Sequence, residues 1–296
     1  MKGFLYCAKL NLIFTLQTFK SKKNINCKGK LLCLEKPTVM GILNITNDSF
    51  FDGGKYNSVD NALFQAEKML NEGATFIDIG AQSTRPGADM IGQEAELKVA
   101  IPIIEKLIEK FPEIIISIDT FSAEVAKQAI EAGAAIINDV SGGQDDPQMF
   151  ETVIKLKVPY ILMHKQGDYK TMHHNPTYQN VVSDVMNYFI PKVEYLKQNG
   201  VADIILDLGF GFGKNNEHNY ELLNKMDRFK IFELPILAGV SRKKMIQNVL
   251  NVNAENALNG TIVANTIALM KGAKILRVHD VKEAVEAVKI IMNVGL

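Results

Sequence analysis

Residues 114–139, "IIISIDTFSAEVAKQAIEAGAAIIND", decide the fold. Two short β-branched runs, IIISID and AAIIND, flank an amphipathic helical pattern over residues 122–132. The runs read as buried strands and the middle as a helix. Two strands joined by a helical crossover lie parallel, because the helix carries the chain back to the end where the first strand began. Each run closes on a polar residue, Asp119 in the first and Asn138 with Asp139 in the second.

The same unit recurs in both directions from there. Strand candidates are TVMGILN, TFIDIG, IIISID, AAIIND, PYILMH, DIILDLG, PILAGV and AKILRVH. Helical patterns fall near residues 58–72, 93–110, 122–132, 147–156, 177–199 and 216–228, in a segmented stretch 241–272, and at 280–293. Eight alternating units predict an α/β protein, a (β/α)8 TIM barrel, and 296 residues suit the roughly 250 of such a barrel. A doubly wound open sheet is the structural alternative. The segment "INCKGKLLCLE", just before the first barrel strand, reads as an N-terminal hairpin closing the barrel bottom. The expected domains are an extension over residues 1–23, poorly ordered, and one barrel domain over 24–296.

Composition narrows the function classes. The 33 basic side chains balance 33 acidic ones, so no global field draws nucleic acid or an anionic membrane, and any anion site is built locally. Cys7, Cys27 and Cys33 show no zinc-like spacing, and an odd number of cysteines in so long a chain predicts reduced thiols and a cytoplasmic location. The start, "MKGFLYCAKLNLIFTLQTFKSKKN", is apolar but interrupted by Lys9, lacks a small-residue cleavage pattern, and falls short of a membrane span. It reads as a dispensable extension or a misplaced start.

Chemistry gathers where the strands end: Asn44, Asp78, Asp119, Asn138, His164, Asp207, Ser241, and Arg277 with His279. In a (β/α)8 barrel these positions line one rim, at the face where such folds carry their sites. Plainer readings stand beside this one. Asp78, between two isoleucines, suits a buried hydrogen-bonded structural carboxylate. Asp119 could simply lead into the next helix through a Thr120 or Ser122 cap, and Asn138 and Asp139 could be turn formers before "SGG". Asp207 precedes "LGFGFGK", a glycine-spaced loop that lets a ligand approach the backbone. That loop is no P-loop: the Gly required five residues before Gly213 is missing, and Asn follows Lys214. Arg277 and His279 alternate along one strand, about 6 to 7 Å apart on one face, a spacing that suits two phosphate oxygens. "STRPG", residues 83–87, adds an arginine in a proline-stiffened turn, and His173 and His174 read as loop residues rather than metal ligands. The residues by themselves therefore predict acids and amides on one side of a rim and anion-binding donors on the other.

These residues, in this order, resemble dihydropteroate synthase, the folate-pathway enzyme that joins a pterin to p-aminobenzoate. The resemblance runs from about residue 24 to the end and rests on "MGILNITNDSFFDGGKY", "DIGAQSTRPGA", "SIDTFSAEVAKQAIEAGAAIINDVSGG", "LMHKQG", "IILDLGFGFGK", "GVSRKK" and "RVHDV". It implies a pterin site of Asp119, Asn138, Met163, Asp207, Phe212 and Lys243. A diphosphate site of Asn44, Thr84, Arg277 and His279 is implied beside it, with Asn44 also reaching Mg2+. The implied p-aminobenzoate pocket comprises Phe50, Phe51, Thr84, Arg85, Pro86 and Ser241. Catalysis is implied for Asn44, Asp52, Thr84, Lys243, Arg277 and His279, with Asp52 stabilising positive charge at the reacting methylene. The first loop, around Thr46 to Gly54, is implied to fold over the site when diphosphate and magnesium are present. The implied partners are the two small-molecule substrates and a second copy of the chain in a homodimer, with no nucleic acid and no membrane.

Departures from the family pattern are Asn47 for a usual Pro, Ala81 and Gln82 for Gly and Glu, Leu208 for Pro, and Lys244 for Ser. None of these is a residue implied to touch pterin or diphosphate. Asn47 loosens the first loop, and Lys244 alters the charge beside the p-aminobenzoate pocket. The alternatives are a pterin-binding methyltetrahydrofolate:corrinoid methyltransferase and a catalytically silent paralogue.

Overall fold

A computed structural model describes residues 22–45, 55–81, 91–168, 172 and 176–295. The chain opens with an antiparallel hairpin, β1 (Asn24–Cys27) and β2 (Lys30–Cys33). Its two-residue turn, Lys28 and Gly29, has φ of 52° and 87°, the positive pair whose twist matches a right-handed ribbon. Among the described residues, eight strands then follow: β3 (Thr38–Asn44), β4 (Phe76–Gly80), β5 (Ile116–Asp119), β6 (Ile136–Asp139), β7 (Tyr160–Met163), β8 (Ile204–Asp207), β9 (Ile236–Ala238) and β10 (Ile275–Val278). They are parallel and closed, with β10 pairing β3 on one side and β9 on the other. The predicted (β/α)8 barrel is the observed fold.

Helices α1 (Lys55–Asn71), α2 (Gln93–Lys110), α3 (Ala123–Ala132), α4 (Met149–Leu156), α5 (Val181–Gln198), α6 (Asn216–Asn224), α7 (Lys244–Leu250), α8 (Leu258–Met270) and α9 (Val281–Val294) lie between and after the strands. The expected pattern 177–199 starts later, at Val181, because the Asn180 side chain caps the helix by accepting from the Ser183 N–H at 2.9 Å. The pattern 216–228 divides into α6 and a 3-10 helix, Met226–Phe232. The segmented stretch 241–272 is α7 and α8.

Strand periodicity places the site. The residues facing the helices are mostly apolar, Ile77 and Ile79 on β4 and Ile116 and Ile118 on β5 among them, with Asp139 on β6 a buried exception that accepts from the Tyr160 hydroxyl at 2.7 Å. The residues facing the barrel axis form a separate apolar layer of Met40, Phe76, Ile136, Ile161, Ile205 and Ile275, sealed below by Ile25, Cys27 and Leu34 around the hairpin. Side chains alternate with period two, so the next inward position is two residues on. That step leads from Phe76 to Asp78, Ile136 to Asn138, Ile161 to Met163, Ile205 to Asp207 and Ile275 to Arg277. An apolar floor thus supports a polar storey. The hairpin is tied to the barrel bottom by Asp203, which accepts from the Asn26 N–H at 3.0 Å and pairs with Lys22 at 2.6 Å. The main-chain N–H of Lys22 donates to the Glu233 carbonyl at 2.8 Å and adds to this tie.

Candidate active site

Buried Asp78 and the partly buried Asp119 and Arg277 form one assembly across the mouth of the barrel. Arg277 Nε lies 2.6 Å from Asp78 Oδ2, and its Nη2 lies 2.6 Å from Asp119 Oδ2. Asn138 Nδ2 donates to the same Asp78 oxygen at 3.0 Å. The plainer reading of Asp78, a buried hydrogen-bonded carboxylate, therefore holds, and its partner is Arg277. Strand alternation alone had separated the acids from the anion-binding donors. The closed barrel instead brings β10 beside β3 and close to β4 and β5, and the arginine reaches the acids. Burial pushes the Asp119 carboxyl up to about 7 against the pull of Arg277, with Asp78 adding to the rise. Asp119 is inside the barrel rather than a helix cap; Ser122 caps α3, accepting from the Val125 N–H.

The glycine-spaced loop after β8 supplies the opposite wall. Asp207 Oδ1 accepts from the Gly209 N–H at 2.8 Å. Burial raises the Asp207 carboxyl, and Lys243 opposes that rise most strongly. Lys243 donates to the Phe210 carbonyl and holds its ammonium 4.7 Å from the centre of the Phe212 ring. Burial lowers Lys243 to about 8, with Asp207 holding it up. A Cβ placed on Gly239 would lie 3.9 Å from Asp207 Oδ2 and 4.0 Å from Arg277 Cβ, so this glycine leaves open the space between the two walls.

Lys243 and Ser241 are aimed inward by the residue between them. Arg242 has φ of 55°, and its guanidinium is committed to Asp280 through a fork at 2.8 and 2.6 Å and to the carbonyls of Ala254 and Glu255. Ser241 Oγ accepts from the His279 main-chain N–H at 3.2 Å and lies 2.9 Å from His279 Nδ1. Asn44 ends β3 on the Asp119 side: a Cβ on Gly80 would lie 3.7 Å from Asn44 Oδ1 and 3.6 Å from Asp119 Oδ2.

The structure therefore gathers Asn44, Asp119, Asn138, Met163, Asp207, Phe212, Ser241, Lys243, Arg277 and His279 around one mouth. Phe50, Phe51, Asp52, Thr84, Arg85 and Pro86, with the first loop, lie outside the described residues, as do His173 and His174. Sequence reading missed two polar residues behind this wall. Lys214 was noted only as the wrong lysine for a P-loop, although it stands at the end of the glycine-spaced loop. Glu96 is buried beside Thr120 and pushed up to about 7, and a lone acid in an amphipathic helix carries no signal of burial.

Comparison with known proteins identifies the family. The model of the family described as "Pterin binding enzyme" matches residues 40–279. The dihydropteroate synthase of Escherichia coli strain K12 is 46% identical over 266 residues, covering 89% of this chain and 94% of the relative. A structure of the Yersinia pestis dihydropteroate synthase with a sulfonamide drug complex superposes with a TM-score of 0.85 at 43% identity, over 92% of this chain and 98% of that one. The Xanthomonas albilineans dihydropteroate synthase with 4-aminobenzoic acid gives 0.85 at 37% identity, over 93% and 99%. By fold, by collinear strand-end residues and by these relatives, the chain belongs to the dihydropteroate synthases of the pterin binding enzyme family.

Proposed function

We propose that the chain condenses 7,8-dihydropterin-6-ylmethyl diphosphate with p-aminobenzoate by a dissociative substitution, giving 7,8-dihydropteroate and diphosphate. The observation that carries this reading is the polar storey itself. Asp78 Oδ1 and Asn138 Oδ1 are buried there without a hydrogen-bond partner among the described residues, each such orphan costing roughly 1 to 3 kcal/mol. A 2-amino-pyrimidinone edge is rich in N–H donors and suits these acceptors. In this reading Asp207 accepts paired pterin donors, Asp119, Asn138 and Lys243 complete the hydrogen bonding, and Met163 and Phe212 flank the ring. Asn44, Thr84, Arg277 and His279 hold the diphosphate. Phe50, Phe51, Thr84, Arg85, Pro86 and Ser241 take p-aminobenzoate.

Asn44 offers a hard, neutral oxygen at the exposed end of β3. That fits a magnesium ion taking most of its ligands from phosphate oxygens and water. When bound with the substrate, the ion supplies neutralisation of the leaving group's charge. The protein's own part is positional. With Nε and Nη2 committed to the two acids, Arg277 presents Nη1 to the diphosphate, and His279 adds its imidazole beside it. The carbon–oxygen bond breaks with its electron pair leaving on diphosphate, and Asp52 stabilises the methylene cation. The p-aminobenzoate amine then attacks and sheds a proton to water. An aryl amine is neutral at pH 7, so the step needs no strong base. Following diphosphate and dihydropteroate release from purified protein tests the reading. Absence of turnover, or methyl transfer to a corrinoid instead, overturns it.

The site's proton affinities predict a bell-shaped pH dependence of kcat/KM for the pterin substrate. The acid limb follows ionisation of Asp119, held at about 7, because only the carboxylate accepts the ligand's donors. The alkaline limb follows loss of the Lys243 proton at about 8. Lys243→Arg is expected to move the alkaline limb upward, and a limb that stays in place assigns it to another group.

A homodimer is supported by α8, which is apolar on both sides. Ala264, Ala268 and Leu269 are buried while Val263, Ile267 and Met270 are exposed, and Val249 and Leu250 of the neighbouring α7 extend the exposed strip. Val263→Lys with Ile267→Glu should convert a dimer to a monomer in sedimentation, and an unchanged mass excludes this face. A cytoplasmic location is supported by Cys27 and Cys33, both free thiols. No helix among the described residues is long and apolar enough to cross a membrane.

A further inference from the structure

Lys214 has no part in the roles above, yet its amine is buried at the heart of the loop that carries Phe212. Nζ lies 2.8 Å from the Gly209 carbonyl, 3.0 Å from the Phe212 carbonyl and 2.8 Å from His164 Nδ1, with the His164 carbonyl at 3.4 Å. The carbonyls of Gly209 and Phe212 accept from the amine, and His164 Nδ1 closes the third contact. Burial pulls the Lys214 proton affinity well down, and the Asp207 carboxylate opposes it. His164 is neutral, pushed down to about 2 by burial and by Lys214.

The loop is shaped around that side chain. Gly209, Gly211 and Gly213 have φ of 66°, 83° and 65°, a conformation that glycine adopts without strain. A Cβ on Gly209 would lie 1.8 Å from the His164 carbonyl oxygen, and one on Gly213 2.3 Å from that of Gln166, so the loop packs directly on the backbone after β7. The residues that Lys214 grips also point at the site. Gly209 donates to Asp207 Oδ1, and Phe212 carries the ring beneath Lys243.

We propose that Lys214, anchored by His164, is a positioning residue for pterin binding: it locks the 208–213 loop so that Asp207 and Phe212 are presented in binding geometry. This rests on the reading of Asp207 and Phe212 as pterin contacts. Misplacing such contacts weakens binding of the ligand they hold and leaves other subsites intact.

Lys214→Met, which keeps the length and removes every donor, tests it. The expected result is a KM for dihydropterin diphosphate raised roughly tenfold or more, and pterin-fragment affinity by calorimetry weakened as much. The KM for p-aminobenzoate should stay within about twofold. His164→Leu should weaken pterin binding in the same way, and His164→Asn, whose amide oxygen replaces Nδ1 as acceptor, should restore most of it. These His164 variants decide the matter if Lys214→Met fails to fold. Pterin affinity unchanged in folded Lys214→Met, equal losses for both substrates, or His164→Asn as weak as His164→Leu overturns the proposal. Asp207→Asn measured alongside separates the two readings. Full pterin affinity in that variant overturns the pterin site and this proposal together; loss there but not in Lys214→Met overturns this proposal alone.

Discussion

An Arg277→Ala variant is expected to lose roughly 3 to 5 kcal/mol of folding stability, because it leaves two buried carboxylates without their cation. The guanidinium holds Asp78 and Asp119 at 2.6 Å each, and those side chains are 0% and 13% exposed. Among the described residues, Asp78 Oδ2 would keep only the Asn138 amide. The loss should depend on pH with a definite sign. An unpaired buried carboxylate is relieved by taking up a proton, and burial already raises Asp119 to about 7. The gap between wild type and variant is therefore widest at pH 8 and narrows toward pH 6. Strand alternation alone would have confined the damage to diphosphate binding. With Arg277 organising Asp78, Asp119 and Asn138, pterin-fragment affinity should fall as well. Urea unfolding at the two pH values, with calorimetry on the folded fraction, checks both expectations. An equal loss at both pH values, or a loss below about 1 kcal/mol, would show that the acids regain water when the arginine is removed.

Asp207→Asn is expected to fold normally and to bind a pterin fragment about 5- to 150-fold more weakly, the equivalent of roughly 1 to 3 kcal/mol. Geometry leaves the amide little choice. Its oxygen must accept from the Gly209 N–H, as Asp207 Oδ1 does at 2.8 Å, so its NH2 replaces Oδ2 and faces the ligand's own donors. Folding should be spared, since burial disfavours the charged carboxylate that the substitution removes. Calorimetry with a pterin fragment provides the measurement. Unchanged affinity in a folded variant reduces Asp207 to a loop acid.

Much of this protein is written in local pattern. The repeated run and crossover, seen in IIISID and AAIIND, determined parallel strands with both faces covered, and the count of eight units favoured a closed barrel over an open sheet. The hairpin below it was legible through "KGK", whose glycine permits the tight turn, and the rim residues through the polar end of each strand. Where an inward side chain goes within that rim was not legible. Arg277 and Asp78 are 199 residues apart, and only barrel closure lets the arginine reach two acids rather than project as an unpaired anion clamp. Lys214 was equally silent. Its partners His164 and Gly209 come from different turns of the barrel, and a lysine buried by acceptors looks in sequence like any surface lysine. Period and spacing act within one element and survive as sequence pattern. Charge pairing and burial arise between elements distant along the chain, and they exist only once the tertiary structure has brought those elements together.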